Sequence, residues 1–462
     1  MPHAHTHTHT SRARRAARRA ARRAAALLLA LGAAAGCGGY LTGGDLDTDP
    51  NRPTTVTASQ LFVGVQSTVW ALTQSDPARL AGLWTQQLGG GGVQYAPIYN
   101  YEVDETTTNG FNQIVYIGGG LPDVRDLEAR TRAAGDSLFL GIAYVQEALL
   151  VGTAADMFGD VVYTEALKGT PNPKLTPQLE VYDSVQAVLA AAVKGLTSNA
   201  AGNVGPGVAD LIYGGGAARW ARLAHTLKAR YYLHTAEVRP QAYALARAEA
   251  AQGITDPADD FTAVYSGLPF QQNFWYQFDV VQRPGYIFPD PQFVALLEAR
   301  GDPRLTRYFN ADQSDLSAAL LQPNAPQPIV TAAENLLILA EGAYRAGDET
   351  AARLALDRAR ALVPGLAPVA ATAAGPALLR EVLTEKYIAL FQSPEVWNDY
   401  KRTCFPNLTP AVPGGDVPAR FFYDTAERQT NTSIPGPEKQ PARNANDPPN
   451  ATDPFGGTCL AQ

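Results

Sequence analysis

The chain reads as a succession of amphipathic stretches with a helical period, broken by loops rich in Gly, Pro, Asn and Asp. In one stretch Trp220, Leu223, Ala224, Leu227 and Tyr231 recur at i, i+3, i+4, i+7 and i+11, with Arg219, Arg222 and Arg230 off that stripe. That spacing lines one face of a helix with apolar side chains. Leu379, Val382, Leu383, Lys386, Leu390 and Phe391 keep a similar rhythm, as does the segment 137–151. Period-two alternation is scarce, so the expected fold class is all-α. From Asn335 the sequence NLLILAEGAYRAGDETAARLALDRARALVP predicts two helices joined at Gly347-Asp348. Leu336, Leu339, Ala340 and Gly347, then Ala352, Leu356, Ala359 and Pro364, hold the register of a tetratricopeptide unit over residues 332–364. Small residues at Ala340, Ala352 and Ala359 let the two backbones approach, and Pro364 ends the second helix. One such pair cannot bury both its faces, so it needs partners among the other helices.

The N-terminus follows a different pattern. Seven arginines lie between Arg12 and Arg23 with no acidic residue before them, and an uncharged run from Ala24 to Gly36 ends at Cys37. About 13 apolar residues cannot cross a hydrocarbon core that needs roughly 20, so residues 1–36 are expected to be an export signal. Ala34-Ala35-Gly36-Cys37 is similar to a bacterial lipobox, in which the cysteine is acylated and becomes the first mature residue; Ala34 stands where leucine is usual. Ordinary cleavage that leaves Cys37 a free thiol is the alternative. Several acyl chains hold a protein on a membrane where one would not. Residues 37–56 then form an acidic linker and residues 57–462 the helical domain.

Removing seven arginines and no acids takes the net charge from −7 to −14. A strongly acidic surface argues against nucleic acid and against direct binding to anionic headgroups. His3, His5, His7 and His9 belong to the discarded leader, where an extended signal region is favoured over a metal site. Cys404 and Cys459 most economically form one disulfide in an exported chain, two separate thiols being the alternative. No metal or cofactor motif is found: HExxH, GxSxG and the Walker lysine loop are absent, and the glycine runs at 89–92, 118–120 and 214–216 lack a following Lys-Ser/Thr. Asp45, Asp47 and Asp49 alternate like the start of a calcium loop but lack its glycine and glutamate. His225 and His234, nine apart on one helix, read as structural, and Glu385, Glu395 and Asp399 as salt-bridge partners.

The order of four further segments carries a resemblance. Leu46-Asp47-Thr48-Asp49-Pro50-Asn51-Arg52-Pro53-Thr54 comes first, then Asp156-Met157-Phe158-Gly159-Asp160-Val161-Val162-Tyr163. Trp220, Ala224, Leu227 and Arg230 follow with His225 between them, and the chain closes with Glu385 to Phe391, Glu395 to Thr403 and Pro418 to Tyr423. Together these segments resemble SusD/RagB-type surface lipoproteins over nearly the whole mature chain. Val162 replaces the usual proline, His225 the usual asparagine, and Cys404 an expected glycine. The resemblance implies an α-helical superhelix of tetratricopeptide-like pairs with a long-loop binding face. It also implies a TonB-dependent outer-membrane transporter as partner, and binding without catalysis.

A face that holds sugar or peptide needs flat rings for stacking beside amides and charged groups. Two loops have that composition. The first supplies Trp84, Gln87, Tyr95, Tyr99, Asn100 and Tyr101; the second runs from Gln271 through Asn273, Trp275, Tyr276 and Phe278 to Arg283. The candidate ligand residues are Trp84, Gln87, Tyr99, Tyr101, Asn273, Trp275, Tyr276 and Arg283, with packing of loops onto helices as the competing role. Trp275 and Tyr276 are neighbours and cannot easily both be buried the same way. The leading function is capture of oligosaccharide, ahead of peptide, for a TonB-dependent transporter at the bacterial outer membrane. A surface-attached hydrolase and a structural tetratricopeptide adaptor are the alternatives.

Overall fold

The computed structural model describes residues 56–462 except 109, 411, 449–451 and 461–462. The leader, Cys37 and the acidic linker up to residue 55 lie outside the described residues. Helix α1 (Ala58–Gln74) turns Phe62, Val65, Val69 and Leu72 inward. The short α2 (Asp76–Trp84) follows with a proline in its first turn, then strand β1 (Leu88–Gly90) and helix α3 (Gly92–Tyr99). Next come α4 (Phe111–Tyr116), α5 (Leu121–Ala133) and α6 (Ser137–Phe158).

The rhythm of residues 137–151 suggests one apolar face, but α6 is buried on nearly every side between α1, α5 and two later helices. It is long and apolar enough to cross a membrane, and here protein covers it. A helix that is apolar all round marks a core position rather than a surface one. Gly152 shows how tight that position is: a Cβ there would lie 2.3 Å from the ring of Tyr231.

The helices that follow pair in sequence, α6 with α7 (Gln178–Leu196) and α8 (Ala217–His234) with α9 (Ala242–Ala250). On α8 the stripe Trp220, Leu223, Ala224, Leu227 and Tyr231 is fully buried, as its spacing predicts. Each fully buried large apolar side chain contributes about 1.5–3 kcal/mol. Strand β2 (Phe261–Ala263) comes next, then β3 (Ile287–Pro289), α10 (Pro291–Ala299), α11 (Leu305–Tyr308) and β4 (Gln327–Val330). Two small antiparallel sheets result, β1 with β3 and β2 with β4.

Helices α12 (Ala332–Arg345) and α13 (Glu349–Ala361) form the pair read from the sequence. Thr331 caps the first through the Glu334 amide and Asp348 the second through the Ala351 amide, while Gly347 makes the turn at φ +77°. Leu336, Ala340, Ala352, Leu356 and Ala359 meet between them, and Leu378 and Val382 of α14 (Pro376–Ala389) close the cluster. Helix α15 (Glu395–Thr403) ends at Cys404, whose φ is +54°. A left-handed residue at a helix end is usually glycine, and here it is the cysteine that replaces one. Cys404 is bridged to Cys459 with Cα atoms 4.9 Å apart. Between them the tail, including α16 (Thr425–Thr430), folds back over the end of α6. The Phe421 amide donates to the Met157 carbonyl at 2.7 Å and the Tyr423 hydroxyl to the Asp160 carbonyl at 2.6 Å.

Candidate ligand-binding face

Strand pairing brings together two loops that lie far apart in sequence. Leu88 faces Pro289, Gly89 faces Phe288 and Gly90 faces Ile287. Gly89 leaves room for the Phe288 ring, which a Cβ would meet at 2.2 Å, and Gly92, at φ +67°, lies against the Tyr286 ring. The segment Tyr276–Gln282 winds as a π-helix. Wide turns of that kind are rare and recur at functional sites. Asn273 builds its start: its side-chain oxygen accepts from the Trp275 and Tyr276 amides at 2.7 and 3.0 Å, and its nitrogen donates to the Ala325 carbonyl at 2.8 Å.

The sequence-predicted residues divide between this face and the core. Trp84 is wholly buried among Trp397 and Phe421, with ring centroids 5.3 and 5.4 Å away, so it anchors α2 and cannot stack on a ligand. Gln87 is also buried and donates to the Tyr387 carbonyl. Trp275 and Asn273 are interior too, and Tyr101 is almost covered, its hydroxyl accepting from Gln86 at 3.0 Å. Packing has claimed these five. Tyr99 is half-buried with its hydroxyl donating to Asp290 at 2.7 Å, Tyr276 is half-buried, and Arg283 is exposed with its guanidinium 5.7 Å from the Tyr286 ring centre.

Tyr286 and Phe288 were missed by reading the loops for composition alone. Both are half-buried around an inward Ile287, a short period-two alternation between Pro284-Gly285 and Pro289 that signals a strand. Tyr95 lies 4.9 Å from Phe278 and 6.2 Å from Tyr286. Beneath them the Arg79 guanidinium sits 4.2 Å over the Phe278 ring, donates to the Tyr95 hydroxyl at 3.1 Å and pairs with the half-exposed Asp76. The face thus combines aromatic rings with a held guanidinium and carboxylate. Asp279, on the π-helix, is buried beside a second carboxyl group, that of Asp315. Burial, and then the neighbouring Asp315, push its pKa up to about 8.

Among the described residues one trio is close enough to hold a metal, Asp156, His234 and Glu395. The His234 Nδ1 lies 2.7 Å from Asp156 and its Nε2 lies 2.8 Å from Glu395. Burial disfavours its charge, but the two carboxylates outweigh that and raise its pKa to about 10. Each ring nitrogen is thus already taken up by a carboxylate of the trio itself. The trio is a salt-bridged core element. Glu385 is likewise engaged by Arg304 and Arg360, and Asp399 by Lys386 and Arg402.

Residues 50–319 match the model of a family described as starch-binding and associating with the outer membrane, the SusD-like proteins. The chain belongs to that family. No curated protein sequence matches it. Its fold is shared with a chitin-binding SusD homolog from Flavobacterium johnsoniae, with a TM-score of 0.73 at 19% identity over 85% of this chain and 99% of that one. A SusD/RagB family protein from Bacteroides thetaiotaomicron gives 0.68 at 20% identity, covering 82% and 95%. The all-α SusD-like architecture expected from the sequence is therefore the observed one.

Proposed function

We propose that this SusD-like protein is a surface lipoprotein that captures oligosaccharide on the face built by β1, β3 and the π-helix. It passes that cargo to a partner TonB-dependent outer-membrane transporter. The observation that carries the reading is the joining of two distant loops, by strand pairing, into one patch of rings and polar groups in a chain of a starch-binding family. Acylation at Cys37 tethers the domain, and no catalytic step is assigned to it. Tyr276, Tyr286 and Phe288 supply stacking surface, with Tyr99, Asp76 and Arg283 at hand for hydroxyl contacts. The relatives named for chitin and the family named for starch make neutral hexose and N-acetylhexosamine chains the first cargo to try.

Calorimetric titration with maltotriose and N,N′-diacetylchitobiose tests capture. Binding by the intact protein, weakened when Tyr276 and Tyr286 are both changed to alanine, supports it. Equal affinity in that double variant, or measurable turnover of either sugar, overturns it. Tethering is tested separately, since Cys37→Ser should leave soluble protein after export. Co-purification of a barrel-sized partner from mild detergent tests the transporter.

A further inference from the structure

A second cleft, of about 380 Å³, opens between α1 and the loop that follows β2. None of Asp76, Tyr95, Tyr99, Phe278, Arg283, Tyr286 or Phe288 lines it, so it is distinct from the face described above. One side is a single face of α1, Val63, Ser67 and Trp70, spaced i, i+4, i+7. The other is the loop carrying Tyr265, Phe270 and Phe274. Tyr265 is the hub of the rings, 6.1 Å from Trp70 and 5.7 Å from Phe274, edge-on to both.

Three features of this cleft point to a ligand. The Trp70 indole nitrogen and the Tyr265 hydroxyl are both buried, and neither has a hydrogen-bond partner among the described residues. Trp70 as a whole is only 6% exposed. Buried donors left without an acceptor carry their full desolvation cost; the Trp84 and Trp275 indoles share that condition in the closed core, whereas Trp70 and Tyr265 carry it side by side in the wall of a cleft. Burial alone drives the Tyr265 phenol well above its ordinary pKa, so it keeps its proton and stays a donor.

The second feature is Phe270, whose ring is entirely exposed at 102%. The loop does not merely dangle it: the Ser266 amide donates to the Gln271 carbonyl at 2.9 Å, the Gln271 amide to the Leu268 carbonyl at 3.1 Å, and the Gln272 side chain to the Gly267 carbonyl at 3.2 Å. This bracing holds Phe270 at φ +64°, a conformation that a bulky residue seldom adopts. An apolar ring held outward at the lip of a cleft offers a stacking platform. The third feature is the charge of the lining, which has no acidic or basic side chain, only Ser67, Ser266, Gln271 and Gln272 as polar neighbours. A charged ligand would find no counter-charge there. Acceptor oxygens and a flat C–H face on a neutral body describe a pyranose ring.

We propose that this cleft is a second carbohydrate subsite that takes a neutral pyranose unit, stacked on Phe270 over the wall that holds the Trp70 Nε1 and Tyr265 hydroxyl donors. The choice of a sugar rests on the glycan-capture reading, whereas the site stands on its own residues. Its volume lies within the usual range for small-molecule sites.

The indole N–H resonance of Trp70 in the 15N-labelled full chain, assigned with Trp70→Phe, reports on the site directly. Titration with maltotriose and with N,N′-diacetylchitobiose should move that resonance saturably with at least one of them. Phe270→Ala, which removes a fully exposed ring, should raise the dissociation constant read at Trp70 by about tenfold or more. Tyr265→Phe, which keeps the ring packing, should weaken it less. The Tyr276/Tyr286 double alanine variant should leave it unchanged while weakening binding at the main face. No response of Trp70 to either sugar overturns the subsite, as does a response untouched by Phe270→Ala or one that disappears with the main-face variant. A response to 1-butanol but to neither sugar would make the cleft an apolar pocket and overturn it too. Main-face binding is read separately by calorimetry, so loss of one site does not decide the other.

Discussion

Two polar regions of this protein treat their charges in opposite ways. In the core, where α8, α12, α14 and α15 meet, buried charges are answered by opposite charges. Arg230 holds Glu334 with two contacts of 2.6 Å and reaches Glu395 at 3.3 Å, while Glu341 accepts from Arg402 at 2.8 Å and from Lys386 at 3.0 Å. On the ligand face the pairing is incomplete: the buried Asp279 has a second acid, Asp315, as its neighbour, Tyr276 and Tyr286 are half-buried, and Arg283 is exposed. The contrast separates a locked scaffold from a surface that keeps unmet bonding capacity. Buried pairs are costly to break because the surviving charge cannot be hydrated, so the core fixes how the helix pairs sit against one another. The face can then be strained or unsatisfied without unfolding the domain.

Breaking the scaffold should therefore give the largest effect. Glu341→Leu takes from Arg402 and Lys386 one of the two carboxylates they share, leaving two buried cations on Asp399 alone, and should cost about 3–5 kcal/mol in urea unfolding. A loss below about 1 kcal/mol would mean that the network does not lock the core and that the contrast is false. The neighbours Trp275 and Tyr276 sharpen the same contrast within a single loop. Trp275→Ala empties a fully buried site and should cost about 3–5 kcal/mol of stability, by the measure of other large-to-small core changes. Tyr276→Ala should change stability by no more than about 0.5 kcal/mol. It should weaken sugar binding by about 1–2 kcal/mol, as truncation of an interface aromatic does. Equal melting losses in the two variants would return Tyr276 to a packing role.

These pairs also show what the sequence could and could not tell. The stripe on α8 and the α12–α13 turn were legible because helical periodicity and capping are local signals, carried by residues a few positions apart. The all-round burial of α6 was not, since Gln146, Glu147 and Asp156 look like a polar side until Arg125, Tyr163 and His234 are seen to answer the two acids. Aromatic composition located both ligand loops but could not assign each ring a direction. Trp275 turns inward because Asn273 caps the π-helix at that point, and Trp84 because Trp397 and Phe421 arrive from residues more than 300 positions away. The joining of the loops depends on β1 and β3, each three residues long, too short for alternation to stand out against a helical background.

A last comparison separates the two regions by pH. Arg230 and His234, against the cost of burial, hold the Glu395 pKa down to about 2. A lowered acid contributes stability that is present above its unfolded value and lost as pH falls toward 2. His234, raised to about 10, contributes stability that is complete below about 6.5 and lost as pH rises through 10. Asp279 behaves oppositely to Glu395: raised from 3.8 to about 8, it takes up a proton on folding. Its contribution is complete below an ordinary aspartate's pKa and is lost as pH rises toward 8. Asp260 and Glu427, both raised to about 7 by burial, slope the same way, so the melting temperature of the wild type alone cannot isolate Asp279. The difference between wild type and Asp279→Asn can, because the amide keeps the shape and cannot ionise. The two melting curves should converge on the acid side, where Asp279 is protonated, and separate by a few degrees between pH 5 and pH 8, with the variant the more stable. Parallel curves across that range would show that Asp279 ionises as freely in the folded protein as in the unfolded chain, and that the face is no less well paired than the core.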